Sequence, residues 1–217
     1  MCAQKNTKKE VYNFITIEGC IGAGKTTLSK MLSAHYSCKG IFENFEDNPY
    51  LQNFYLNPEK HAFSLELFFM AERYQQQKQL LEEMNLFGEK VITDYAFFKS
   101  LVFANITLKE DELQLYKMLF HIIYPNIKSP EIILYLHKPI DLLIRNIKKR
   151  GRSYEADISL DYLEKLNATY LDFFKQQDKS KVLIVDTSQL DFVESENDFK
   201  ELLSILDKEY DKKITYL

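Results

Sequence analysis

Short, strongly apolar runs alternate along this chain with longer segments whose apolar residues recur at helical spacing. The runs 12–18, 40–44, 90–94, 131–137 and 181–186 predict strands. The later ones are rich in Val, Ile and Leu, as expected of parallel strands covered on both faces. Between them, 26–36, 61–84, 95–105, 109–124, 139–149 and 158–177 predict helices. This alternation predicts an α/β fold, a five-stranded parallel sheet flanked by helices in three layers with right-handed crossovers. Ligands of such sheets bind beyond the carboxyl ends of the strands. No repeat, low-complexity tract or Pro/Gly/Ser-rich linker interrupts the pattern, so residues 1–217 read as one domain.

Between the first strand and the first helix lies Gly19-Cys20-Ile21-Gly22-Ala23-Gly24-Lys25-Thr26, which fits the phosphate-loop pattern G-x-x-x-x-G-K-[ST]. Glycines let the backbone wrap a phosphate so that successive N–H groups and a helix N-terminus face the anion. Lys25 is placed to reach the outer phosphates and the Thr26 hydroxyl to take a Mg²⁺ position, with Thr27 continuing the site into the helix. The strand–loop–helix context predicts a P-loop NTPase-type fold that binds a nucleoside triphosphate.

Composition narrows the partners. A net charge of −4 argues against broad nucleic-acid affinity, which normally needs a basic excess. Cys2, Cys20 and Cys38 show no C-x-x-C spacing and no even framework, which suits a reducing compartment. Residues 1–10 are polar and lysine-bearing, so they are expected to be a flexible segment rather than a signal peptide. No apolar run approaches a membrane span. A cytoplasmic location without membrane attachment is the expectation.

Two further features carry candidate chemistry. Glu43 stands at the carboxyl end of the second strand, facing the phosphate crevice. It reads either as a base that aligns and deprotonates an acceptor hydroxyl or as a capping or solvated acid. The cluster Arg145-Asn146-Ile147-Lys148-Lys149-Arg150-Gly151-Arg152 closes a helix, where positive charge is favourable in any case. It also precedes Gly151 and a polar loop, as a hinged lid over a triphosphate would. This predicts an arginine-bearing lid around 145–157, with Arg150 and Arg152 on phosphate oxygens.

Glu43 within E-x-x-x-x-N-P-Y, the run Tyr55-Leu56-Asn57-Pro58-Glu59-Lys60, the helix from Phe63 to Arg73 and Arg150-Gly151-Arg152 together resemble the deoxyribonucleoside kinases. The similarity spans 14–199 and is greatest to the bacterial deoxyguanosine kinases. The resemblance implies ATP- and Mg²⁺-dependent transfer of a phosphoryl group to a deoxynucleoside 5′-hydroxyl, by a protein that is typically a homodimer. It implies that Glu43 is the base, that Tyr55 and Glu155 hold the sugar 3′-hydroxyl, and that Arg73 lies beside Glu66 over the nucleobase edge. It further implies that Phe103 packs on the base face and that Asp94 supports Mg²⁺ and the phosphate site. The aromatic-rich helix 116–124 then packs either on a second subunit or within its own.

Glu66 speaks to the base. Family members that accept adenine or cytosine typically have Gln there, whose amide both donates and accepts. A carboxylate only accepts, which matches the adjacent N1–H and N2–H₂ donors of guanine. Against adenine it would face a ring lone pair, a mismatch of about 1–3 kcal/mol. Deoxyguanosine is therefore the expected substrate, with a deoxyadenosine or broad purine deoxynucleoside kinase as the alternative. A nucleoside monophosphate kinase would need another arginine at the acceptor site, and a GTP-regulated switch would need an N-K-x-D motif. Three positions depart from the family pattern. Tyr95 stands where an arginine often meets phosphate, and Asn146 stands where relatives place a further arginine, with Arg145 about 100° round the helix. Lys99 or Ser100 occupies the place of a base-reading acid, with Lys99 either a donor to guanine O6 or a solvated charge.

Overall fold

The computed structural model describes residues 11–43, 48–87, 90–155 and 158–217, with the side chains of 80–87 and 153 left aside. The expected flexible segment 1–10, the end of the second predicted strand at Asn44 and lid positions 156 and 157 lie outside these residues. The strands are β1 (Phe14–Gly19), β2 (Lys39–Ile41), β3 (Val91–Thr93), β4 (Ile132–His137), β5 (Lys181–Asp186) and β6 (Ile214–Tyr216). They form one six-stranded sheet in the order β2-β3-β1-β4-β5-β6, with every neighbouring pair parallel. The sixth strand corrects the expectation of five. Ile214-Thr215-Tyr216 is too short to show a period and follows three charged residues, so only its pairing with Val182–Ile184 reveals it.

Central strands β1 and β4 are buried on both faces, which explains their unbroken apolar character. The polar exceptions within β1 have partners: Thr16 shares a 2.7 Å hydroxyl hydrogen bond with Thr93 of β3. Glu18 accepts from the Ala96 N–H and the Tyr170 hydroxyl, both at 2.9 Å.

The helices are α1 (Lys25–His35), α2 (Leu51–Leu56), α3 (Pro58–Phe87), α4 (Lys99–Thr107), α5 (Glu110–Ile123), α6 (Ile140–Arg150), α7 (Leu160–Gln176) and α8 (Glu196–Leu206). Among the described residues none is long and apolar enough to cross a membrane. Pro58 opens α3 at a position where its missing N–H costs nothing, three residues before the predicted start. Helix α4 begins at Lys99 rather than residue 95, because the bond from Ala96 to buried Glu18 holds the preceding residues in a turn. Ser159 and Ser195 cap α7 and α8 by accepting from Tyr162 and Asp198 N–H groups. Gly151 ends α6 with φ of 72°, a left-handed conformation that favours glycine.

Candidate active site

The phosphate loop leaves β1 and enters α1 through Gly24. Lys25 turns back over the loop and donates to the Gly19 carbonyl at 2.9 Å and the Cys20 carbonyl at 3.0 Å. Burial lowers its pKa to about 8, Lys99 adding to the effect and Glu18 and Asp94 opposing it. Its ammonium is thus poorly solvated and poised for an anion. Gly22 has φ of 84°, and a Cβ there would lie 2.7 Å from the Leu143 carbonyl of α6. The loop and α6 therefore touch backbone to backbone. Asn146 fixes the contact by donating to the Gly22 carbonyl at 2.9 Å. Asn146, where the family resemblance implied an arginine, is here a structural tie, and Arg145 lies exposed beside it. Cys20 and Ala23 turn their side chains into the core, so only their backbone can serve a phosphate.

Two hollows meet over this loop. A groove runs along Gly22, Gly24, Thr27 and Lys30. A cleft opens between α2, α3, α4 and α7. Lys25, Thr26, Glu43, Arg150 and Arg152 line both, so the two spaces join at these five residues. Every candidate acceptor residue lines the cleft: Glu43, Tyr55, Glu66, Arg73, Asp94, Phe103 and Glu155. Ile21 of the phosphate loop faces it too.

Glu43 is the hub. Arg73 donates to its Oε1 from Nε at 2.9 Å and from Nη2 at 2.6 Å, and Lys99 donates to Oε2 at 2.5 Å. Burial alone would raise its pKa, but Lys99 and Arg73 outweigh burial and hold the carboxyl at about 2. This is not a solvated acid. The geometry also fixes where two neighbouring cations point. Arg73 spends its donors on Glu43 and on Ser100 at 2.8 Å rather than on Glu66. Lys99 is buried against Glu43, neither solvated nor free to reach for a base. Tyr95 is buried as well, its hydroxyl bonded to Gln76, so it makes no phosphate contact.

Glu66, 2% exposed, accepts from the Thr107 hydroxyl at Oε1 over 2.9 Å, while its Oε2 is buried with no hydrogen-bond partner. Burial raises its pKa to about 7 against the pull of Arg73 and Thr107. Asp94 takes hydrogen bonds from the Thr26 hydroxyl at Oδ2 and from the Glu43 N–H at Oδ1, the latter 2.8 Å long. Thr26 and Asp94 thus offer adjoining hard oxygens at the join of the hollows, a donor set that fits Mg²⁺ completed by water and phosphate. Glu155, also in the cleft, draws in two arginines: Arg150 Nε donates at 3.1 Å and Arg152 Nη1 at 3.4 Å. Tyr55 packs on Tyr154 with ring centroids 5.6 Å apart.

Sequence reasoning missed Thr107, Tyr154 and Tyr162, all of which line the cleft. Thr107 carried a usable signal: it stands one helical turn beyond Phe103, on the same face as Lys99. Tyr162 carried none, because α7 reaches the cleft only through tertiary packing.

A phosphate loop joined to a cleft that centres on a charged carboxylate is an arrangement for phosphoryl transfer to a small acceptor. The family model for deoxynucleoside kinase matches residues 15–210. The chain belongs to the deoxynucleoside kinases. The kinase is 39% identical over 193 residues to a deoxyguanosine kinase of Bacillus subtilis, covering 87% of this chain and 93% of that one. It is 29% identical to a deoxyadenosine kinase of Lactobacillus acidophilus over 92% of this chain and 95% of the relative. Among solved structures it is similar to a deoxyadenosine kinase from M. mycoides with bound dCTP. That match has a TM-score of 0.74 and 27% identity, covering 89% of this chain and 98% of the other. The kinase is therefore a phosphotransferase acting on a small deoxynucleoside.

Proposed function

We propose that the kinase is an ATP- and Mg²⁺-dependent deoxyguanosine kinase that yields dGMP and ADP and serves purine deoxynucleoside salvage. The observation that carries this reading is Glu66, a buried carboxylate in the cleft with one oxygen free. Thr107 uses one lone pair of Oε1, so Oε1 keeps a second and Oε2 keeps both. An ionised Glu66 can then take N1–H and N2–H of guanine together, two charge-assisted hydrogen bonds. Deoxyinosine keeps only the first and binds more weakly. The alternative, a deoxyadenosine or broad purine deoxynucleoside kinase, draws on the deoxyadenosine kinases among the relatives. It needs a group at residue 66 that donates as well as accepts.

In this mechanism the amides of 19–27 and Lys25 hold the outer phosphates of ATP in the groove. Arg150 and Arg152 meet the transferring group, whose charge rises in the transition state. Thr26, and Asp94 directly or through water, would hold Mg²⁺, which would supply positive charge against the phosphates. Tyr55 and Glu155 receive the sugar 3′-hydroxyl, and Phe103 packs on the base. Glu43 accepts the 5′-hydroxyl proton as the new O–P bond forms, while the bridging bond breaks with its electron pair leaving on ADP. A carboxylate held ionised by two cations is a weak base. A loose phosphoryl-transfer transition state asks for alignment more than basicity, and Arg73 and Lys99 fix Glu43 in place. The chain acts as one kinase domain with its lid around 145–157. It pairs into a homodimer through α5, where Leu115, Met118 and Ile122 lie exposed on one face.

The test is phosphorylation by ATP and Mg²⁺ of the four deoxynucleosides, deoxyinosine and guanosine. Deoxyguanosine is expected to give the highest kcat/KM, followed by deoxyinosine. Equal or better use of deoxyadenosine would overturn the assignment.

A further inference from the structure

The hydroxyl of Thr107 has one proton and two acceptors, Glu66 Oε1 at 2.9 Å and the Phe103 carbonyl at 3.0 Å. When Glu66 is charged, the carboxylate is the stronger acceptor and Thr107 donates to it. When Glu66 is neutral, Thr107 can turn its proton to Phe103, and the carboxylic acid becomes one donor and one acceptor. That neutral face has the hydrogen-bonding pattern of a glutamine amide, which matches the N1 acceptor and N6 amine of adenine.

We infer that Thr107 is a specificity-positioning residue: its hydroxyl orients Glu66 and favours the acceptor-only form that selects guanine, and protonation of Glu66 turns the selection towards adenine. This rests on the reading of Glu66 as the base-recognising group.

The surroundings of Glu66 support the inference. Arg73 on its own helix, Lys99 on α4 and Glu43 after β2 are already committed to one another. Tyr116 of α5 donates to the Glu66 backbone carbonyl at 3.2 Å, and burial raises the pKa of Tyr116 and of Tyr162 on α7. These phenols stay neutral and supply no competing charge. Across the cleft stand Tyr55, its pKa also raised by burial, and Glu155 with its two arginines. No histidine lines the cleft among the described residues. Removing the Thr107 hydrogen bond removes one of the influences that lower the Glu66 pKa, so the acid holds its proton to higher pH. Lys25, whose pKa is about 8, titrates nearby but serves both substrates alike and cancels in their ratio.

The experiment measures kcat/KM for deoxyguanosine and deoxyadenosine from about pH 5.5 to 8.5, where kcat/KM reports groups of the free enzyme. The native kinase, Thr107→Val, Thr107→Ser and Glu66→Gln are compared. In the native kinase the guanine-to-adenine ratio is expected to fall with falling pH through a single-proton step, by about ten-fold or more. Thr107→Val moves the midpoint of that step to higher pH, Thr107→Ser restores it, and Glu66→Gln abolishes it. A native ratio that is flat with pH overturns the inference, whether or not any variant folds. So does a Thr107→Val profile that coincides with the native one while Glu66→Gln shifts the ratio, an outcome that leaves the reading of Glu66 intact. If Glu66→Gln leaves the ratio unchanged at every pH, the reading of Glu66 falls and takes this inference with it.

Discussion

Glu43 and Glu66 share one cleft but are pushed in opposite directions, Glu43 held charged by two cations and Glu66 pushed towards its neutral form by burial. Replacing Glu43 by Gln removes the proton acceptor and the clasp of Arg73 and Lys99. Turnover should fall by about 10²- to 10⁴-fold with nucleoside binding retained, and a variant with near-native kcat refutes the role. Two buried cations left facing an amide also cost stability, about 3–5 kcal/mol for a broken buried pair, so a melting curve must accompany the kinetics. Lys25→Ala should abolish phosphoryl transfer, and retained activity would remove the loop lysine from the mechanism. At Glu66 the sign reverses. Its folded pKa of about 7 lies above its ordinary value of 4.5, so the native state favours the protonated acid. The stability this contributes is present below about pH 4.5 and lost as pH rises through about 7, a penalty on the order of 3 kcal/mol in the unliganded protein. Glu66→Gln should therefore raise the melting temperature of the free kinase at pH 8 and leave it little changed at pH 5. An unchanged melting temperature at pH 8 contradicts the buried, ionised acid. The residue types of this site were legible from sequence because each stands at a motif position or a strand end. Their pairing was not: Arg73 lies two helical turns from Glu66 yet bonds to Glu43, through a contact that only packing creates.

The phosphate loop and α6 behave as one element, tied by Asn146 and by the approach of Gly22 to Leu143. Asn146→Ala should raise KM for ATP several-fold while KM for the nucleoside changes little, since one hydrogen bond is worth about 1 kcal/mol. Equal shifts in both constants would show that the tie serves overall stability and not the loop. The main elements were readable where apolar period and length agreed, as in β1, β4, β5 and the phosphate loop. Helices α2 and α8 went unseen: α2 has only six residues, and α8 owes its start to a serine cap amid acidic residues. The arginine run 145–152 was legible as a candidate for phosphate contact. That Glu155 draws Arg150 and Arg152 against the cleft required the three-dimensional contact.

Across the whole molecule, the sheet places the groove and the cleft side by side beyond the strand ends, meeting at Lys25, Thr26, Glu43, Arg150 and Arg152. The fold class followed from alternation alone, whereas the sixth strand needed its partner to be recognised. The exposed apolar stripe of α5 predicts that Ile122→Lys shifts the protein from dimer to monomer in sedimentation, and a monomeric native protein would contradict that reading. The account as a whole turns on Glu66 choosing the base. Its most direct test is the ratio of kcat/KM for deoxyguanosine to that for deoxyadenosine, at about pH 8 where Glu66 is charged, in the native kinase and in Glu66→Gln. The account predicts a native preference for deoxyguanosine that Glu66→Gln cuts by about ten-fold or more. The same ratio in both proteins would contradict it.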